Sequence, residues 1–211
     1  AVESDRLGLQ IVVHAIGDAA IRRTLDGFAA ARAANGPRDN RHRVEHIELL
    51  HPTDLPRFGP LSVVASMQPL HATRPERNYF MYWAEVVGRR RWRDAFPAHD
   101  LHAAGVPLVF GSDWPIVSMD PFRGIEAAAN RTPWAEGLPG QAIPLPAVLA
   151  AYTRTPAWVE FQEHAKGQLC PGMLADLVLL DSDLFALEGE ALARARPVLT
   201  VCDGRVVHDR V

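Results

Sequence analysis

Two histidines and an aspartate stand where apolar runs of the chain give out: His14 after LQIVV, His46 at the end of HRVEH, and Asp113 after VPLVFGS. Imidazole nitrogen and carboxylate oxygen together suit zinc or a similar divalent ion, which lowers the pKa of a bound water to about 7. An aspartate beside such a water can take its proton and later deliver it to a leaving group. His14, His46 and Asp113 are therefore the candidate metal ligands, and Asp113 the candidate catalytic residue. Taken singly, each has a plainer reading: a histidine satisfied at a strand end, an aspartate capping the next turn. Their recurrence at equivalent points of successive units is what argues for metal chemistry.

Several neighbours bear on the same chemistry. Gln68 and His71, in SMQPLHA, are candidate substrate contacts or simply the end of a strand. Trp114 follows the aspartate and is placed either to wall a pocket or to fill a core. Arg77, Tyr79, Tyr82 and Trp83 lie in a long polar stretch with the composition of a lid or specificity surface. On an alternating strand Glu45 points away from His46, so it is not counted as a ligand, and His42 reads as structural.

The elements that must position these residues follow from the apolar pattern. β-branched runs alternate with helical periodicity, which indicates parallel strands joined by crossover helices. The first strand spans about Leu9 to His14, followed by a helix from Ala19 to Ala34 whose Ile21, Leu25, Phe28 and Arg32 stem share a face and whose Asp18 is placed to cap it. A second strand covers His42 to Ile47. Thr53 and Asp54 then open a short helix ending near Gly59. The third strand, Leu61 to Met67, leads into the polar stretch through about Gly88, and a helix containing Trp92, Phe96 and Leu101 returns to a fourth strand, Val106 to Phe110. Helices over Pro121 to Asn130 and through Leu145, Val148, Leu149 and Tyr152 follow.

From Gly167 the pattern changes to short strands at Ala175 to Leu180, Leu199 to Cys202 and Arg205 to His208. Asp203-Gly204 between the last two is a strong hairpin signal. The expected division is a barrel part over 1–164 and a small β module over 165–211.

Composition narrows the classes of function. With 211 residues, 48% of them hydrophobic, the chain can bury a sizeable core. A formal charge of −3 gives no basic footprint for nucleic acid, and the short run Arg89 to Arg93 reads as a solvated helix face. No stretch approaches the roughly 18 consecutive apolar residues of a membrane span. The expected setting is cytoplasmic by default. Cys170 and Cys202 lack CxxC spacing and are expected to be small apolar fillers. The chain opens on AVESDRLGLQIVVHA, nearly at once a strand, which is the expectation for an interior cut.

The stretches VVHAIGDAAI, HRVEHIELL, ASMQPLHA, GSDWPIVSMDPFRGIEAA, AYTRTPAW and KGQLCPGMLADLVLLD resemble, in order and spacing, the C-terminal half of the amidohydrolase superfamily, specifically the amidohydrolase-3 group that includes N-substituted formamide deformylases. The resemblance covers essentially the whole chain. It implies an α/β fold, the C-terminal half (strands five to eight) of a (β/α)8 TIM-type barrel, with part of a small β-sandwich. It also implies that His14 and His46 match the ligands of the fifth and sixth strands, and Asp113 the metal-binding, proton-handling aspartate of the eighth. Family members carry a His-x-His pair on the first strand and commonly a carboxylated lysine on the fourth, neither of which this chain contains. Lys166, the only lysine, lies in the turn of the β module and cannot be that bridge.

The resulting expectation is a hydrolase of C–N bonds of the non-peptide amide type, acting on a small molecule through water activated by one or two divalent ions, most naturally Zn2+. The chain alone would be an inactive C-terminal fragment that needs the missing N-terminal half of the barrel. The alternative is a non-catalytic truncated barrel used for binding or structure. Completion by a second copy, as a homo-oligomer, is left open by the sequence.

Overall fold

The computed structural model describes residues 1–72 and 81–210. The elements run α1 (Val2–Arg6), β1 (Val12–Ala15), α2 (Asp18–Asn35), β2 (Arg43–His46), α3 (Phe58–Leu61), β3 (Val64–Met67), α4 (Met81–Val87), α5 (Ala98–Ala103), β4 (Leu108–Phe110), α6 (Pro121–Ala129), α7 (Leu145–Tyr152), α8 (Arg154–Val159), β5 (Leu177–Leu180), β6 (Pro197–Cys202) and β7 (Arg205–Asp209). The fold class is α/β. β1 to β4 form one sheet in sequential order, every neighbouring pair parallel. β5 to β7 form a second, antiparallel sheet.

A sheet in which each parallel strand pairs with its successor has its crossovers on one side, because the connections share one handedness. The core lies on that side. Ala15, Val44, Ala65, Met67, Leu108 and Phe110 meet Ile21, Leu25 and Phe28 of α2, Phe58 of α3 and Leu101 of α5. The other face is more open: Val12 is 45% exposed, and Arg43 and Glu45 are half-buried and paired to each other at 2.7 Å. α8 sits at the strand starts, where its Val159 carbonyl accepts from Gln10 and its Trp158 carbonyl from Arg41.

α2 forms where its i, i+4, i+7 apolar spacing requires, and ends against Gly36 at φ 82. Its N-cap is Gly17 and not Asp18; the Asp18 carboxylate, one position inside, bonds Arg91 at 2.6 Å. The third apolar run divides. Leu61 ends α3, Ser62 turns left-handed at φ 54, and only Val64–Met67 joins the sheet. The single helix expected through Trp92, Phe96 and Leu101 is two pieces, a 3-10 helix over Arg89–Asp94 and α5. Pro97 disfavours helical geometry at Phe96, and the chain there bonds sideways: the Phe96 N–H reaches the Glu48 carbonyl at 2.8 Å and the Leu50 N–H reaches the Asp94 carbonyl at 3.1 Å. Residues 94–96 thus clamp the segment that leaves β2. Arg89, Arg90, Arg91 and Arg93 are exposed, as a solvated face requires.

The tail hairpin turns on Asp203 and Gly204, both at positive φ (48 and 74), the conformation that makes Asp-Gly favourable there. Between β5 and β6 the chain packs back onto α6. Leu184, Leu192 and Ala195 join the main core and Asn130 donates to the Gly189 carbonyl at 3.0 Å. The two cysteines are not fillers: Cys170, in a turn, and Cys202, at the hairpin corner, are both exposed and free. Among the described residues no helix is long and apolar enough to cross a membrane.

Candidate metal centre

All four parallel strands point their C-terminal ends to one edge of the sheet, and the chemistry-bearing residues collect there. His14 is the third residue of β1 and His46 the last of β2. In register, His14 faces Glu45 while Ala15 faces His46, so strict alternation would put the two histidines on opposite faces. They nevertheless meet edge-on, ring centroids 4.4 Å apart. His46 leaves the pleat at φ 80, and Ile47 follows at φ 51. Positive φ is uncommon for any side-chain residue and a genuine outlier for a β-branched one. Strain of this kind costs on the order of 1–3 kcal/mol per residue and collects at functional sites.

Asp113 follows β4 and also has positive φ, 56. Its carbonyl accepts from the Ile116 N–H at 2.9 Å, but its side chain caps nothing among the described residues. It is exposed and lines, with His46 and Gln68, one end of a cleft that runs along the open face of the sheet past Glu45 and Arg43 to α8. His46 is 8% exposed. Burial pushes its imidazole below the ordinary histidine value, and the neighbouring His14 adds to this against the opposing pull of the Asp113 and Glu48 carboxylates. The neutral ring is the form that binds a metal.

Glu45 is turned to the cleft, not away from it, but is committed to Arg43. His42 is structural: its Nδ1 accepts from the Ile11 N–H at 3.1 Å and its Nε2 lies 3.1 Å from the buried Asp5 carboxylate. Gln68 is buried at the cleft. His71, 2% exposed, lies beneath His46, the two rings stacked at 6.0 Å. Trp114 stands 63% exposed beside Asp113. Trp83 belongs to an aromatic cluster with Phe96 and Trp134 instead of a lid, Tyr82 is exposed, and Arg77 and Tyr79 lie outside the described residues. Lys166 pairs at 2.6 Å with Glu160, which lines the α8 end of the same cleft.

Glu48 was not expected. It is 2% exposed, and one nitrogen each of His46 and His71 and one of its oxygens lie within 4.8 Å of one another. The available signal was a lone charge inside the apolar run HIELL. His46 Nδ1 and Glu48 Oε2 are buried without a hydrogen-bond partner. Orphaned buried polar atoms are costly, and here they surround a neutral histidine at a strained strand end. A donor set of imidazoles and carboxylates in that condition fits a divalent ion.

A model of the amidohydrolase family matches residues 3–208. The protein LONG AFTER FAR-RED 3 of Arabidopsis thaliana is 36% identical over 184 residues, 85% of this chain and 31% of that protein. The N-substituted formamide deformylase of Arthrobacter pascens is 25% identical over 217 residues, all of this chain and 38% of that protein. Among solved structures, an uncharacterized metal-dependent hydrolase from Pyrococcus horikoshii superposes with a TM-score of 0.73 at 29% identity, over 88% of this chain and 36% of that one. The chain thus spans about a third of the length of the curated relatives it matches.

Proposed function

The chain belongs to the amidohydrolase family, and from that premise we propose that it carries the fifth to eighth strands of a (β/α)8 barrel hydrolase acting on C–N bonds of small, non-peptide amides. Residues 1–164 are the barrel portion and 165–211 the portion of a β-sandwich. The remaining strands, and with them the His-x-His pair of the family, come from chain outside these 211 residues; alone the fragment is inactive.

The observation that carries this reading is the edge-on contact of His14 and His46 at 4.4 Å across the ends of adjacent parallel strands, with Asp113 at the same end of the cleft. Parallel strands of a barrel present their functional groups at this end. His14, His46 and Asp113 would hold the ion. When bound, a divalent ion of the zinc class supplies a water acidic enough to react near neutral pH. Asp113, its carboxylate exposed at the cleft, would take up a proton there and return it to the departing nitrogen. His46, neutral through burial, keeps a lone pair for ligation at neutral pH. Gln68 and Trp114 shape the substrate side, whereas His71, the third residue expected there, lies buried beneath His46. Support for a metal-dependent hydrolase comes from the superposed Pyrococcus structure, and for a C–N bond from the relative named a deformylase.

The test is metal content. In the complete protein His14→Ala is expected to lower the bound zinc per chain measured by mass spectrometry after dialysis. Unchanged stoichiometry would remove His14 from the ligand set and with it the observation on which the reading stands.

A further inference from the structure

Metal ligation uses one nitrogen of a histidine and leaves the other to carry a proton, and that proton needs an acceptor to hold the ring in one tautomer and one orientation. In His46 the buried, unpartnered nitrogen is Nδ1. A carboxylate in the same condition is Glu48, two residues on, whose Oε2 is also buried without a partner among the described residues and which has an oxygen within 4.8 Å of a His46 nitrogen. Its other oxygen, Oε1, lies 3.4 Å from His71 Nδ1. Glu48 is fixed at the backbone too, since its carbonyl accepts from the Phe96 N–H at 2.8 Å. His46 and Ile47 are both left-handed, so the chain turns sharply between this ring and residue 48.

We propose that Glu48 is a positioning residue of the metal centre: its carboxylate accepts the Nδ1 proton of His46, aiming Nε2 at the metal, with His71 bracing the carboxylate from beneath. The inference rests on the reading of His14, His46 and Asp113 as the ligand set. It accounts for a carboxylate kept in a site only 2% exposed, where a charge without a partner is expensive. A cation held by His46, Glu48 and His71 themselves is the less economical arrangement. It would leave His14, in ring contact with His46, and Asp113, exposed at the cleft, without a part in the site.

The experiment is a Co2+ titration of the complete protein, stripped of metal, followed by the visible absorption of the bound ion, for wild type, Glu48→Gln, Glu48→Leu and His14→Ala. Glu48→Leu is expected to bind Co2+ about 10–100-fold more weakly, with the same number of ions at saturation and an altered absorption band. Glu48→Gln, which keeps an acceptor oxygen, is expected to recover most of the affinity. Binding by Glu48→Leu within twofold of wild type, while His14→Ala is weakened, overturns this inference alone; no weakening in His14→Ala overturns the ligand set beneath it. Loss of a whole ion at saturation in Glu48→Leu makes Glu48 a ligand and overturns the positioning role. If Glu48→Leu does not fold, imidazole 15N shifts of His46 in the wild-type zinc form decide: protonated Nδ1 supports the inference, and protonated Nε2 defeats it.

Discussion

Asp113 leaves β4 in a left-handed conformation with its carboxylate free of any capping bond, open to the cleft and on the His46 side of it. A carboxylate so placed is available both to a metal and to a proton, and the two roles separate on substitution. Asn keeps an oxygen donor of the same shape but cannot take the proton. In the complete protein Asp113→Asn is therefore expected to retain most of its metal and lose turnover by about 100-fold or more, assayed first with a simple N-substituted formamide. Turnover unchanged by the substitution would take Asp113 out of the proton step. His14, His46 and Asp113 were legible in the sequence because each terminates an apolar run, and parallel strands send their ends to one edge. Glu48 and its relation to His71 were not. Alternation was carried through His46, whereas the backbone turns left-handed at His46 and Ile47, residue types that do not advertise positive φ. Glu45 keeps the pleat and lines the cleft; it is His46 that departs from alternation and lines the cleft with it.

At the scale of elements, the start of β2 is tied to α1 and α2 through a buried polar knot. Asp5, 1% exposed, accepts from Asn35, Arg38 and Asn40 and lies 3.1 Å from His42 Nε2. Burial alone would raise the Asp5 pKa, but the hydrogen bonds from Asn35, Arg38 and His42 outweigh it and hold the carboxyl below its usual range. His42 moves down as well, through burial, against the pull of Asp5. A histidine whose folded pKa is depressed leaves the unfolded chain binding more protons than the fold, so stability falls as pH drops below about 6.5 and goes on falling until the folded His42 itself protonates. The depressed Asp5 contributes a second loss, below about 3.9. Urea unfolding midpoints should therefore decline from pH 7 to pH 5, and His42→Gln, able to serve both Ile11 and Asp5 without titrating, should flatten that decline by the share of one histidine. An unaltered slope would mean that His42 is not held neutral in the fold. The helix over Asp18–Asn35 and the Asp-Gly hairpin could be read from spacing, since local periodicity and turn chemistry decide them. The division at Ser62 could not, since it rests on a left-handed turn at a serine closed by local bonds to Gly59 and Phe58; Pro97 marks the break before α5, but not the bonds that tie Asp94 and Phe96 to Leu50 and Glu48.

Over the whole molecule, four parallel strands in sequential order make a curved layer with helices on one side and a cleft on the other. Among the described residues β1 and β4 have no strand on their outer edges. Unpaired edges expose rows of backbone donors and acceptors and are satisfied in a barrel only by closure. The face toward the cleft mixes the exposed Val12 with the Arg43–Glu45 pair. Relatives of about three times this length share the family, which leaves ample chain for the strands that would close such a sheet. In the proposed reading the His-x-His pair is part of the donor set, and a partial set on a sheet with unpaired outer edges holds an ion less firmly than a complete, preorganised one. The 211-residue chain by itself is therefore expected to emerge from desalting with far less than one equivalent of metal, and a longer form carrying the first four strands proposed above with at least one. Elemental analysis of both, prepared side by side, decides the matter. Full occupancy in the short chain would mean that His14, His46 and Asp113, steadied by Glu48, make a self-sufficient centre, and that closing the barrel serves the substrate and not the metal.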